Sequence, residues 1–179
     1  VNNDTVLSFG ALRTGTAGRT IGIPADYTTV ATFGASSQQP MILAAKTVAA
    51  GAASPVLTPL NAAAGNVLQG FGELIRNMRQ DASTLVHAGA NKSTTGAFSG
   101  VPITTPALTV TEDDCLLRLY VSYQDDCTDM GTFNPGAAGA WTRIVFQSTT
   151  TGLDQTIAVY ELQQAAATNV VASTISITG

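Results

Sequence analysis

The sequence predicts an all-β fold, a jelly-roll-like β-sandwich built from two related halves, and three observations lead to it. Apolar and polar residues alternate with period two along several segments, as they do on a half-buried strand. Clusters of Gly, Asn, Asp and Pro interrupt the apolar runs about every 8–12 residues, the spacing of strands in a sandwich or jelly roll. Residues 4–60 can also be laid over residues 114–178 with few gaps. A chain of 179 residues, 45% of them hydrophobic, buries roughly two-thirds of its unfolded surface. One domain spanning 1–179 is therefore expected to hold a core without metals or disulfides.

In order along the chain, Asp4 to Leu12 opens the first copy as an apolar stretch entered through an Asp. It answers Asp114-Cys115-Leu116-Leu117-Arg118-Leu119-Tyr120-Val121-Ser122 in the second. The second of these places Cys115, Leu117, Leu119, Val121 and Tyr123 on one face, and this set is expected to point inward. The matching inward set of the first copy is Thr5, Leu7, Phe9 and Ala11. Each copy then enters a polar, Gly-rich loop. Pro24 to Val30 answers Ala138 to Ile144, so Tyr27 and Trp141 stand as equivalent core anchors before an apolar strand. Met41 to Lys46 answers Thr156 to Glu161, which pairs Ala45 with Tyr160, and Thr5 is paired with Cys115. No strand precedes Asp4 to match Pro106 to Val110, so the first copy's sheet is expected to end there in an open edge.

The joining segment, residues 61–113, carries further strands at Val67–Ile75 and Pro106–Val110, with a small-residue loop from Gly89 to Gly100 between them. The one stretch with helix spacing is Gly72 to Ser83, where Leu74, Ile75 and Met78 fall on one helical face; a single short helix is compatible there. Thr174 to Thr178 alternates as a final strand.

Composition excludes several classes. Charged residues are 11% of the chain, against about 25% in an average domain. The net charge is −4 and the eight Lys and Arg are dispersed, so no basic stripe exists to neutralise phosphates, and direct nucleic-acid binding is not expected. No apolar run reaches the ~18 residues of a membrane helix, and no signal-peptide pattern opens the sequence; the chain reads as soluble and globular. Cys115 and Cys127 are not expected to pair. A strand from Cys115 to Tyr123 carries the chain about 26 Å, and four further residues cannot bring it back within ~7 Å.

Catalytic chemistry finds little to build on. His87 is the sole histidine and sits at an apparent strand end without a G-x-S-x-G elbow. The three His and Cys residues are too dispersed for zinc. Asp125, Asp126 and Asp129 could offer oxygens to calcium, but lack the ordered ligand spacing of a calcium loop; a solvated loop is the simpler reading. Glu112-Asp113-Asp114 reads as the turn before a strand. Gly15, Gly18 and Gly22 lack the strand-to-helix context and lysine of a phosphate loop. No enzyme, catalytic residue, metal site or cofactor is expected.

Three segments carry a resemblance: Pro106 to Leu117, with its acidic turn entering a strand; Gly139-Ala140-Trp141-Thr142; and Ile157-Ala158-Val159-Tyr160. Together they resemble the two-copy β-sandwich structural proteins of tailed-bacteriophage virions. The resemblance implies a capsid decoration (cement) protein or a tail or fibre subunit, located in the virion, homo-oligomeric, and packing against other capsid or tail proteins. It carries no catalytic residues. A lectin-like module binding a host surface glycan or receptor is the alternative, with Tyr120, Tyr123 and Phe133 as candidate stacking rings. A sandwich-fold hydrolase built around His87 is the third.

Overall fold

The computed structural model describes residues 4–34, 38–48, 56–60, 63–75, 102–104, 107–110, 113–123, 141–150, 153–167, 169–170 and 174–176. Every regular element among them is a strand, and these form a four-stranded and a three-stranded antiparallel sheet with three two-stranded ribbons. The all-β sandwich class expected from the alternation is what is found. The chain divides into two compact units, one of residues 1–87 with 151–153, the other of residues 88–150 with 154–179.

The first unit holds strands β1 (Asp4–Arg13), β2 (Thr20–Gly22), β3 (Thr28–Phe33), β4 (Met41–Val48), β5 (Thr58–Leu60) and β6 (Val67–Ile75). Its sheet has the order β3-β4-β1-β6. β1 is thus flanked on both sides, by β4 and by β6, and the open edge expected beside the N-terminal strand does not arise there: β6 fills it. The inward set Thr5, Leu7, Phe9 and Ala11 is buried, but so are Val6, Ser8 and Leu12. Alternation had marked one face as wet; the β2–β5 ribbon makes that face dry. Leu12, Ile21 and Ile42 cluster there with Ile23, Leu57 and Leu68 packed around them.

That second core depends on an absence of side chains. Gly10 and Gly70 lie opposite each other on β1 and β6, and Leu57 sits in the notch between them. A Cβ on Gly10 would lie 2.5 Å from Leu57 Cδ1, and one on Gly70 3.3 Å from the same atom. The chain enters β6 through a turn in which the Asn66 amide donates to the Ala63 carbonyl (3.1 Å) and the Ala63 amide to Asn66 Oδ1 (3.1 Å). Gly65 takes φ +85° in that turn, a conformation that glycine adopts without steric penalty.

The second unit holds β7 (Pro102–Thr104), β8 (Leu108–Thr109), β9 (Cys115–Tyr123), β10 (Thr142–Thr149), β11 (Gln155–Gln164), β12 (Asn169–Val170) and β13 (Thr174–Ser176). The sheet has the order β10-β11-β9, and β12 pairs with β8 and β13 with β7 as separate ribbons. Its core is a cluster of Val110, Val121, Trp141, Ala158, Tyr160 and Leu162, with Cys115, Leu117, Leu119, Tyr123 and Phe146 packed against it. The residues expected to face inward on β9 are those that do. Glu112 lies outside the described residues, but Asp113 and Asp114 form the expected turn. Asp114 is at φ +55°, its amide donates to the Ala165 carbonyl (3.3 Å), and Asp113 Oδ1 accepts from the Ala167 amide (2.7 Å).

The order β3-β4-β1 in one unit and β10-β11-β9 in the other is the same succession of aligned segments. Both outer strands are bulged at corresponding residues, between Thr29 and Ala31 in β3 and between Arg143 and Val145 in β10. Tyr27 and Trp141 each stand immediately before their strand. The central strands match less directly. Ala45 lies opposite Leu7, whereas Leu117, the aligned mate of Leu7, lies opposite Leu162 and not Tyr160. The offset is two residues, which leaves the faces of the strand unchanged; a slip of one would have turned every side chain over.

The helix compatible with Gly72–Ser83 is not formed over its first residues, because Val67–Ile75 is strand throughout; residues 76–83, and with them Met78, lie outside the described residues. Gly72, a poor helix former at about 1 kcal/mol relative to alanine, and the unbroken pairing of this stretch with β1 explain the preference.

Candidate functional site

The sequence-level site residues are largely outside the described set: His87, Asp125, Asp126, Cys127, Asp129 and Phe133 all are. Among the described residues, no group of three or more His, Cys, Asp or Glu side chains is arranged to hold a metal ion. Cys115 is half-buried at the head of β9, against the core cluster.

The rings proposed for sugar stacking are placed differently by their parity on β9. Tyr123 packs against the buried cluster. Tyr120 is on the opposite face, half-buried and paired in register with the fully buried Val159. Trp141 is 6% exposed and is a core anchor, as expected. Tyr27 is not its equal in burial: it is half-exposed, with Lys46 Nζ 5.8 Å from its ring centroid. Lys46 also pairs with Asp26, whose carboxyl it holds below the usual aspartate range, the hydrogen bond from Lys46 being the main cause. Desolvation raises the Tyr27 hydroxyl above its usual value. The carboxylate of Asp26 is exposed, whereas the Tyr27 hydroxyl is buried with no hydrogen-bond partner among the described residues.

What the two sheets do present is edges. Among the described residues, β3 and β6 bound the first, β10 and β9 the second. A sheet edge offers a row of main-chain donors and acceptors, and a bulge is one of the devices that spoils it as a template. β3 and β10 carry such bulges. β6 and β9 do not: β6 runs in unbroken register with β1 from Val67 to Ile75, and β9 with β11 from Cys115 to Tyr123. Three of the five exposed large apolar side chains lie on these strands, Leu74 on β6 (49% exposed), Leu116 on β9 (39%) and Ile144 at the β10 bulge (40%); Val56 and Leu60 lie elsewhere, before and on β5.

Charges on the second sheet are internally matched. Arg118 lies directly opposite Glu161 and pairs with it, and Arg143 stacks on the Phe146 ring at 4.8 Å. Ser148 and Thr156 share a hydroxyl hydrogen bond of 2.9 Å across β10 and β11. Gln155, wholly buried, donates from Nε2 to Ser122 Oγ at 3.0 Å. These polar groups are occupied in holding strands in register, so the candidate site is a set of strand edges and the apolar side chains along them. No family model, no curated protein and no solved structure matches this chain.

Proposed function

We propose that this chain is a structural component of a tailed-bacteriophage virion, a capsid decoration protein or a tail or fibre subunit, that acts by packing against other virion proteins. The observation that carries the reading is where the segments behind the resemblance fall. The strand entered through Asp114, the step Trp141-Thr142 and the strand Ile157–Tyr160 lie in adjoining positions of one sheet, β9, β10 and β11, around a shared core of Trp141, Tyr160 and Leu162. The low charge of the chain and the exposed Leu74, Leu116 and Ile144 suit a surface covered by neighbours, since exposed apolar side chains favour association.

Immunogold labelling of purified particles with an antibody raised against the chain tests the proposal. Label on capsid faces or on tails supports it and separates the decoration role from the tail role. Particles free of label, with the chain recovered only in the soluble fraction, would refute it. The glycan-binding alternative loses one of its rings, because Tyr123 is spent in the core.

A further inference from the structure

The β2–β5 ribbon stands apart from the sheet it covers. Its ladder, Thr20 to Leu60, Ile21 to Pro59 and Gly22 to Thr58, joins β2 to β5 and neither of them to the four-stranded sheet. Opposed residues in an antiparallel pair alternate between exchanging two hydrogen bonds and exchanging none. Pro59 has no N–H to give, which puts the bonded pairs at Thr20 with Leu60 and at Gly22 with Thr58. A Cβ on Gly22 would lie 3.3 Å from Leu60 Cδ2, so Leu60 packs across the ribbon onto its partner strand. The two strands hold each other.

The hold on the sheet is narrower. Thr20, Thr58 and Leu60 are exposed, and among the described side chains of the ribbon only Ile21 is buried; β1 beneath has eight of its ten residues buried. Ile21 reaches the cluster of Leu12 and Ile42, and Leu57, the residue before β5, fills the notch over Gly10 and Gly70. The chain leaves β1 at a clamped point. Thr14 is buried, its amide donates to the Gln38 carbonyl at 2.8 Å, and Gln38 Nε2 donates to the Gly15 carbonyl at 3.0 Å. Residues 15–18, which follow, are exposed. An element with exposed backbone bonds and few buried side chains opens at a lower free energy than the fold as a whole.

We infer that the β2–β5 ribbon is a strap that lifts as one unit, turning at residues 15–18 and drawing Ile21 and Leu57 out, while the four-stranded sheet stays folded. Closed, it keeps Leu12 and Ile42 dry. Open, it uncovers them beside the bare backbone of Gly10 and Gly70, so the strap governs when this apolar floor meets solvent. Wetting the floor opposes opening, which makes the open form a minor state. The strap goes beyond the virion reading and does not depend on it.

Native-state hydrogen exchange of the full chain in rising urea tests the inference. The amides of Thr20, Gly22, Thr58 and Leu60 are expected to exchange roughly tenfold or more faster than the central amides of β1. Their rates should change little at low urea, because lifting the strap exposes little surface, whereas the β1 amides accelerate steeply toward the global transition. Leu57→Ala is expected to speed the four ribbon amides by roughly tenfold or more, since it removes a side chain that opening must withdraw. Gly10→Ala, which keeps Leu57 but fills its notch, is expected to speed them several-fold. Ribbon amides that follow the β1 urea slope would overturn the inference, because ribbon and sheet then open only together. Fast ribbon exchange indifferent to either substitution would overturn it as well, because the ladder then frays with Leu57 still seated.

Discussion

Substituting Gly10 by Ala tests the second core most directly. The new Cβ would sit 2.5 Å from Leu57 Cδ1, with Ile21 Cδ1 and Ile42 Cγ2 both at 3.6 Å, so Leu57 has to leave the notch. Gly70 lies across from Gly10 beside the same atom, where a Cβ would come within 3.3 Å of Leu57 Cδ1. Overpacking of this kind costs about 1–3 kcal/mol. Gly10 has an ordinary strand φ, so alanine also recovers roughly 0.5–1 kcal/mol of backbone entropy. The expected net loss is roughly 0–2.5 kcal/mol, about 1.25 kcal/mol at its centre. With a urea m-value near 2 kcal/mol/M, the central value lowers the midpoint by about 0.6 M. Far-UV circular dichroism through a urea titration is the assay, with Trp141 fluorescence as a separate probe of the other unit. Combining Gly10→Ala with Leu57→Ala is expected to cost less than the sum of the two single changes by about 1 kcal/mol, because the clash requires both side chains. A stabilising Gly10→Ala, or strict additivity with Leu57→Ala, would show that Leu57 does not occupy the notch.

The remaining expectations concern the other unit and the surface cluster. Trp141→Ala is expected to destabilise by about 3–5 kcal/mol through the cavity it leaves. Trp141→Phe should cost much less by chemical denaturation, since Trp141 Nε1 is buried with no acceptor among the described residues and phenylalanine removes that donor. In an NMR titration, Asp26 is expected to ionise below 3.8 and to move back toward that value in Lys46→Met. Because its folded pKa is depressed, the stability linked to this carboxylate is present above the unfolded pKa and lost as pH falls through the folded one, so Lys46→Met should flatten the acid limb of the stability profile. Tyr27 has the opposite sign. Its folded pKa lies above 10.0, so its contribution is complete below the unfolded pKa and lost as pH rises through the folded one. Absorbance titration should find the late-ionising part of the tyrosine signal reduced in Tyr27→Phe.

Several strands were legible because their signal is local. Val67–Ile75 was readable to the residue, and the inward face of β9 follows from the parity of Cys115, Leu117, Leu119, Val121 and Tyr123. The turn at Asp113-Asp114 follows from side chains that tolerate positive φ and bond to nearby amides. Tyr27 and Trp141 hold matching places before their strands but differ in burial, since an aromatic-Thr step before a strand specifies position along the chain and says nothing of how much protein covers it. The metal and nucleophile candidates, His87 and the Asp125 to Asp129 run, fall outside the described residues, and sheet edges are a feature that exists only once strands have neighbours.

The sequence by itself determined that this chain is all-β, which residues lie in its principal strands, and which side of β9 is apolar, because pleat, propensity and turn chemistry act within a few residues. Only the tertiary structure decided that β1 lies between β4 and β6, that its second face is dry beneath the β2–β5 ribbon, and that β11 is registered two residues away from the alignment. Strand order and register depend on residues far apart in the chain, Gly10 with Gly70 and Leu57, or Leu117 with Leu162, and alternation in one strand carries no information about which strand will lie beside it.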